Sequence, residues 1–241
     1  MKVKLEAAIN QLNKLGLNLI AIEKVGNLSS EFQDSLRKNQ IGFDLQDSII
    51  LLAHGGEELW RQLPHPIHED DDPIDNFSLR AMREFADSVI DGECKILFPL
   101  TDYLLPLQKL SRELNLSRPS PLGLDISQNF GVWFAFRGML ITKRDIPSLV
   151  PRPFESPCLT CKSQECANAC PVGAVKLNSS FEIKTCADYR FSDGSACADK
   201  CLARLACPYQ SEHRYEILQT QYHMGRSRHL RSLASYVKLK S

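Results

Sequence analysis

Eight of the nine cysteines in this chain fall between Ser156 and Pro208: Cys158, Cys161, Cys166, Cys170, Cys186, Cys197, Cys201 and Cys207. Thiolates are soft anionic donors, and so many in one short stretch point to metal or iron–sulfur ligation rather than to a single nucleophile. The first four read C-x2-C-x4-C-x3-C-P, and Cys170 and Cys207 are each followed directly by proline. A tight C-x2-C loop aims two sulfurs at one centre. The stretch Gln164 to Ala169 suits a helical turn that carries Cys166 and Cys170 on one face, stopped by Pro171.

This spacing is close to the C-x2-C-x2-C-x3-C-P run that holds iron–sulfur cubes, with two residues added in the middle gap. A [4Fe–4S] cube takes four thiolates, and in two-cluster ferredoxins the cysteine before the proline ligates the other cube. That rule assigns Cys158, Cys161, Cys166 and Cys207 to one cluster and Cys170, Cys186, Cys197 and Cys201 to a second. The closing run Cys197-x3-Cys201-x5-Cys207-Pro208 echoes the first, with Arg-Leu-Ala-Cys-Pro against Ala-Asn-Ala-Cys-Pro. The x3 and x5 gaps are not the usual ones, so a single cluster with Cys186 as a bystander stays open. Zinc is the rival metal for C-x2-C pairs, but a second C-x2-C is missing. Disulfides are the remaining alternative. The N-terminus, Met1 to Glu6, shows no signal-peptide core, so the expected location is the reducing cytoplasm, where clustered cysteines serve as ligands.

The totals set outer limits. The chain has 241 residues, 43% of them hydrophobic and 24% charged, enough for a core and for one large or two smaller domains. Basic and acidic residues balance at 29 each, so no global field favours nucleic acid or an anionic membrane. No apolar run reaches the roughly 18 residues of a membrane span.

Ahead of the cysteines, helical and extended patterns alternate. Val3, Leu5, Ala8, Ile9, Leu12 and Leu15 make one helical face ended by Gly16. A strand is expected over Leu17–Val25, a helix from Ser29 to Asn39, and a buried strand over Ser48–Ala53 broken by His54-Gly55-Gly56. Another helix opens at Glu57. A loop with His65, His68 and the acids Glu69 to Asp72 follows. A metal site there is conceivable, but a run of like charges favours a solvated loop. Ile74–Ile90 reads as helix, Cys94–Leu100 as strand and Tyr103–Leu116 as mostly helix, interrupted near Pro106. Cys94 reads as a small core residue. Phe130 to Thr142 reads as a strand with Val132, Phe134 and Phe136 on one face and Trp133, Ala135 and Arg137 on the other. Arg137 is a candidate cofactor-binding residue, able to clamp a phosphate or carboxylate, or else a partner for a carboxylate at the core edge. No Gly-rich nucleotide fingerprint is present. Nothing in the pattern singles out a catalytic acid, base or nucleophile.

Cys166-Ala-Asn-Ala-Cys-Pro-Val-Gly-Ala-Val, the lone Cys186 and the closing Cys-Pro resemble the dicluster ferredoxin module of epoxyqueuosine reductase and the reductive dehalogenases. Asp72 to Ser78 and Gly131 to Gly138 are similar to segments of the same superfamily, and the second also resembles CblC-type cobalamin-processing proteins. The resemblance spans roughly residues 45 to 210. It implies an α+β fold: a nitroreductase-like α/β sandwich able to hold a corrinoid, a small ferredoxin-like dicluster segment that feeds it electrons, and a C-terminal helix. Two departures stand out. Only Gly123 to Asn129 separates Pro121 from the aromatic strand, so Asp125 has no clear match to that enzyme's proposed proton donor. Its C-terminal helical-repeat domain, which helps hold transfer RNA, has no counterpart here, and the tRNA-modifying activity is not carried over.

The expected organisation is a sheet domain at 1–144, a proline-rich linker at 145–157, a [4Fe–4S] segment at 158–210 and a basic helical tail at 211–241. The tail, acid-free from Ile217 onward, is expected to dock on the sheet domain as an amphipathic helix with a basic outer face, the alternative being an anion, partner or RNA contact. The expected function is iron–sulfur electron transfer with two [4Fe–4S] clusters, serving a corrinoid or another cofactor in the sheet domain. The alternatives are a cobalamin-handling chaperone or reductase, an epoxyqueuosine-reductase-like enzyme, and a zinc-stabilised interaction protein. Expected partners are an electron donor of the ferredoxin, flavodoxin or flavin reductase type and a corrinoid, with no membrane and no nucleic acid.

Overall fold

The computed structural model describes residues 2–65, 72–90, 92–100 and 102–225. The chain divides into two compact units. One comprises residues 1–118 and 134–154, the other residues 119–133 and 155–241. The sheet unit therefore runs past the expected boundary at 144, and residues 119–133, read from sequence as part of the sheet domain, group with the cysteines instead.

The sheet unit is built on four antiparallel strands: β1 (Leu19–Lys24), β2 (Ser48–Gly55), β3 (Cys94–Phe98) and β4 (Phe134–Thr142), in the order β1-β2-β4-β3. Every residue of β2 is buried, as its unbroken apolar run demands of a central strand. The His54-Gly55 pair does not break β2. The Asn18 side-chain amide donates to the Gly55 carbonyl (3.1 Å) and its oxygen accepts from the Gly55 amide (2.7 Å), so a side chain satisfies the Gly55 backbone groups where the pairing with β1 has ended.

Helices α1 (Lys2–Lys14), α2 (Ser30–Lys38), α3 (Glu58–Arg61), α4 (Pro73–Val89) and α5 (Leu107–Glu113) fill the same unit. The Ser29 hydroxyl caps α2 by accepting from the Phe32 amide, and Pro73 opens α4 where a missing N–H costs nothing. Helix α5 is shorter than the expected Tyr103–Leu116. A residue before proline is pushed out of the helical region, and Leu104 is pinned outside it by Asn39, whose side chain bonds both its amide and its carbonyl. Helix α4 packs on α1 and on β4. Gly138 makes this possible, because a Cβ there would sit 2.1 Å from the Met82 sulfur.

Strand β4 departs from the expected alternation in two ways. It begins at Phe134, four residues late, because Val132 and Trp133 are buried in the other unit. It also carries a bulge: Leu52 pairs with Gly138 and Ala53 with Phe136, so Arg137 is an extra residue and the two-fold side-chain rhythm is lost there.

The expected linker is not free either. Ile22 and Leu149 exchange both backbone bonds, so part of the Pro-rich stretch lies along β1. The Ser148 hydroxyl donates to Glu23 at 2.5 Å. Burial pushes the Glu23 carboxyl up, but the bonds from Ser148, the Lys24 amide and Asn27, with the Lys24 charge, outweigh it and hold the group below its ordinary value. A depressed carboxyl contributes stability above its unfolded value of about 4.3 and loses it as pH falls through the folded value. Urea unfolding of Glu23→Gln should therefore lose less stability than the wild type between about pH 6 and pH 3. Parallel pH profiles would show the strap contributes nothing through this group.

Candidate metal centre

The cysteine unit has its own apolar core. Leu122, Ile126, Val132 and Trp133 come from residues 119–133. Val175, Ala203, Cys207 and Tyr215 come from the segment beyond. Cys158, Cys166, Cys170 and Cys201 pack against this core. One side chain ties the two sources together. Arg204 donates from Nε (3.1 Å) and Nη2 (2.6 Å) to the Val132 carbonyl, and its guanidinium stacks over Trp133 (4.7 Å) and Tyr215 (4.9 Å). Gly131 turns with φ +56° against the Tyr209 carbonyl, at a spot where a Cβ would stand 2.5 Å from that oxygen. The Tyr209 hydroxyl in turn donates to the Gln128 carbonyl.

Short elements carry the thiols. Cys158 sits in a single 3-10 turn, Pro157–Leu159, started by the Ser156 hydroxyl. Gln164 adopts the left-handed conformation (φ +50°) and begins α6 (Glu165–Asn168), which carries Cys166. This turn brings the Gln164 amide onto Cys161. That bond, with the Ser163 hydroxyl, holds the Cys161 thiol below its ordinary value against the opposing effect of burial. Helix α6 ends before Cys170, which lies beyond it at the Pro171 stop. Cys186 lies on α7 (Ile183–Arg190), and the Cys201 sulfur caps α8 (Leu202–Leu205) by accepting from the Arg204 amide at 3.4 Å. Residues 217–225 form α9 (Ile217–Gly225). The rest of the expected tail helix, including Leu230 and Leu233, lies outside the described residues.

Electrostatics sort the thiols into two sets. Burial pushes Cys158 and Cys166 up, and Cys207 pushes both further. Cys158 also raises Cys166, and Cys161 raises Cys158, Cys166 and the buried Cys207. In the other set, burial and then Cys201 drive Cys186 to about 11, with Cys170 and Cys197 adding and Arg190 opposing; Cys201 is raised by burial and by Cys197. Cys158, Cys166 and Cys207 are thus each raised by a thiol among Cys158, Cys161 and Cys207, and Cys186 by Cys170, Cys197 and Cys201. Apposed thiolates repel, and the charge of a metal core is what relieves such a set.

The second set lines a cavity of about 280 Å³ together with Phe181 and Arg190. Among the described residues, no three His, Cys, Asp or Glu side chains converge closely enough to hold one metal ion. Four thiols lining one cavity are the donor set that an iron–sulfur cube takes. All nine cysteines are free thiols. Cys94 stands half-buried at the start of β3, in the sheet unit, its thiol raised by burial and by Asp87.

In the sheet unit, Arg137 donates from Nε to His54 Nδ1 at 2.8 Å and lies 3.8 Å from the Asp75 carboxylate. His54 is fully buried, and Arg137 is 12% exposed. The bulge that displaces Arg137 from the strand rhythm is what brings it to this pair. Sequence reading foresaw a carboxylate partner but not His54, which it took for part of a strand break. The loop residues His68 and Glu69 to Asp71 lie outside the described residues. No sequence pattern marked Arg204 as the core clamp. For Arg190 a signal existed, since it follows Cys186 by one helical turn.

No family model matches the chain, and no curated protein matches it by sequence. Its fold is similar to that of epoxyqueuosine reductases. The Streptococcus thermophilus structure aligns with TM-score 0.54 and 15% identity over 87% of this chain and 66% of that one. The Bacillus subtilis enzyme gives 0.53 and 14% over 90% and 67%. A crystal structure of epoxyqueuosine reductase with an epoxyqueuosine-modified tRNA stem loop gives 0.55 and 14% over 92% and 68%. The chain thus spans about two thirds of the length of the structures it matches.

Replacing Arg204 by Ala removes two charge-assisted bonds and two ring contacts, and should cost the cysteine unit roughly 2–4 kcal/mol. Urea unfolding followed by Trp133 fluorescence in a Trp60→Phe background measures this. A change below about 0.5 kcal/mol would mean the clamp is not what joins the two segments.

Proposed function

We propose that this protein is an iron–sulfur redox protein that carries two [4Fe–4S] clusters in its cysteine unit. The observation that carries the reading is the single cavity lined by Cys170, Cys186, Cys197 and Cys201, the four thiols that the crossed ligand rule groups together. Cys158, Cys161, Cys166 and Cys207 would hold one cluster, and Cys170, Cys186, Cys197 and Cys201 the other. The clusters supply one-electron carriage. The chain's part is to keep water from them, to present amide hydrogens to the sulfurs, as Gln164 does to Cys161 and Arg204 to Cys201, and to set their potentials through burial and charge.

The electrons would serve a reductive reaction in the sheet unit, on a corrinoid or another cofactor, delivered by a donor of the ferredoxin, flavodoxin or flavin reductase type. Arg137, held by His54 and Asp75, would be the anion clamp for that cofactor. Similarity over most of this chain to epoxyqueuosine reductase structures supports a second reading, an epoxyqueuosine-reductase-like enzyme. Direct assay of epoxyqueuosine reduction separates it from plain electron transfer.

Anaerobic purification should yield a brown protein with about eight irons and matching labile sulfide per chain. Cys186→Ala should retain about four. A colourless protein with zinc and no sulfide would overturn the redox reading. Cobalamin added to the pure protein should be retained on gel filtration, and Arg137→Ala should weaken that binding about tenfold or more. Passage of cobalamin through unbound would remove the corrinoid from the proposal and leave the clusters standing.

A further inference from the structure

Arg190 lies four residues after Cys186 on α7, so both side chains share one helical face, and both line the cavity of the second cysteine set. Its Nη2 donates to the Met224 carbonyl of α9. Its Nε is buried and has no hydrogen-bond partner among the described residues. The other cations on this cavity are placed differently. Arg204 spends Nε and Nη2 on the Val132 carbonyl, and Lys200 is half-buried beside Asp199. The structure therefore anchors one guanidinium at its far end and leaves a buried N–H at the wall of a cradle of four thiols. A buried donor is costly unless something accepts from it, and the acceptors this cradle is built to surround are sulfurs.

Resting on the cluster reading above, we infer that Arg190 donates its Nε–H to a sulfur of the group held by Cys170, Cys186, Cys197 and Cys201 and raises the reduction potential of that group alone. Hydrogen bonds to cluster sulfurs and nearby positive charge both favour the reduced, more negative state. Reduction adds one electron, here from dithionite, and makes or breaks no bond; Arg190 stabilises the added charge and transfers no proton. Its effect biases an electron shared by the two groups toward the one between Cys170 and Cys201. Arg190 is thus a tuning residue rather than a catalytic one.

The test is a dithionite titration followed by electron paramagnetic resonance, on the full chain with its clusters reconstituted anaerobically. Arg190→Gln should shift one midpoint to a more negative potential and leave the other unchanged, at wild-type iron content. The affected signal should be the one lost in Cys186→Ala. Arg190→Lys, which keeps the charge but not the anchored Nε–H, should fall between the two. Two unchanged midpoints in Arg190→Gln would overturn the inference, and so would equal shifts of both. Should Arg190→Gln lose iron, Arg190→Lys decides, because a wild-type midpoint there excludes the bond. A wild-type chain that takes up no iron and sulfide would instead sink the cluster reading itself, and this inference with it.

Discussion

A cysteine-rich segment has a packing problem: its thiols are committed to a site, and little apolar surface is left to fold around. Here the shortfall is met from elsewhere in the chain. Residues 119–133 supply four of the eight buried residues in the apolar cluster of the cysteine unit, and the Arg204 guanidinium joins that contribution to the short helix between Cys201 and Cys207. Small domains that cannot bury enough apolar area generally depend on metals or cross-links. This unit has a borrowed core, which includes Cys207 and against which Cys158, Cys166, Cys170 and Cys201 pack.

The same constraint accounts for how the aromatic stretch is used. Val132 and Trp133 are buried in the cysteine unit, while Phe134 begins a strand of the sheet unit. A stretch that reads as one strand therefore serves two cores. Within the sheet unit its remainder is interrupted again by the bulge at Arg137, which places that guanidinium against a fully buried histidine. Both interruptions put a polar or aromatic group where regular pairing would not.

The thiol sets also show why such a site is assembled by short, irregular pieces. A left-handed Gln164, a sulfur-capped helix at Cys201 and a single 3-10 turn at Cys158 each give one cysteine an orientation that a long helix or strand could not. Left-handed non-glycine backbone is unfavourable by about 1–2 kcal/mol, and at Gln164 it accompanies the amide bond to Cys161.

Much of this was written in the order of residues. Period-3.6 and continuous apolar runs located α1, α2, α4, β1 and β2 to within a few residues, because burial of an apolar face is a local signal. Cysteine spacing and the two Cys-Pro marks proposed a pairing of thiols across the segment, since ligand number and turn chemistry are local too. Tertiary structure alone decided the rest. It assigned residues 119–133 to the cysteine unit, laid the Pro-rich stretch along β1, bulged β4 at Arg137, and set Arg204 against the cysteine core. Each of these depends on contacts between residues far apart in the chain, chosen by complementary shape and by the need to satisfy buried polar groups, and no local periodicity records them.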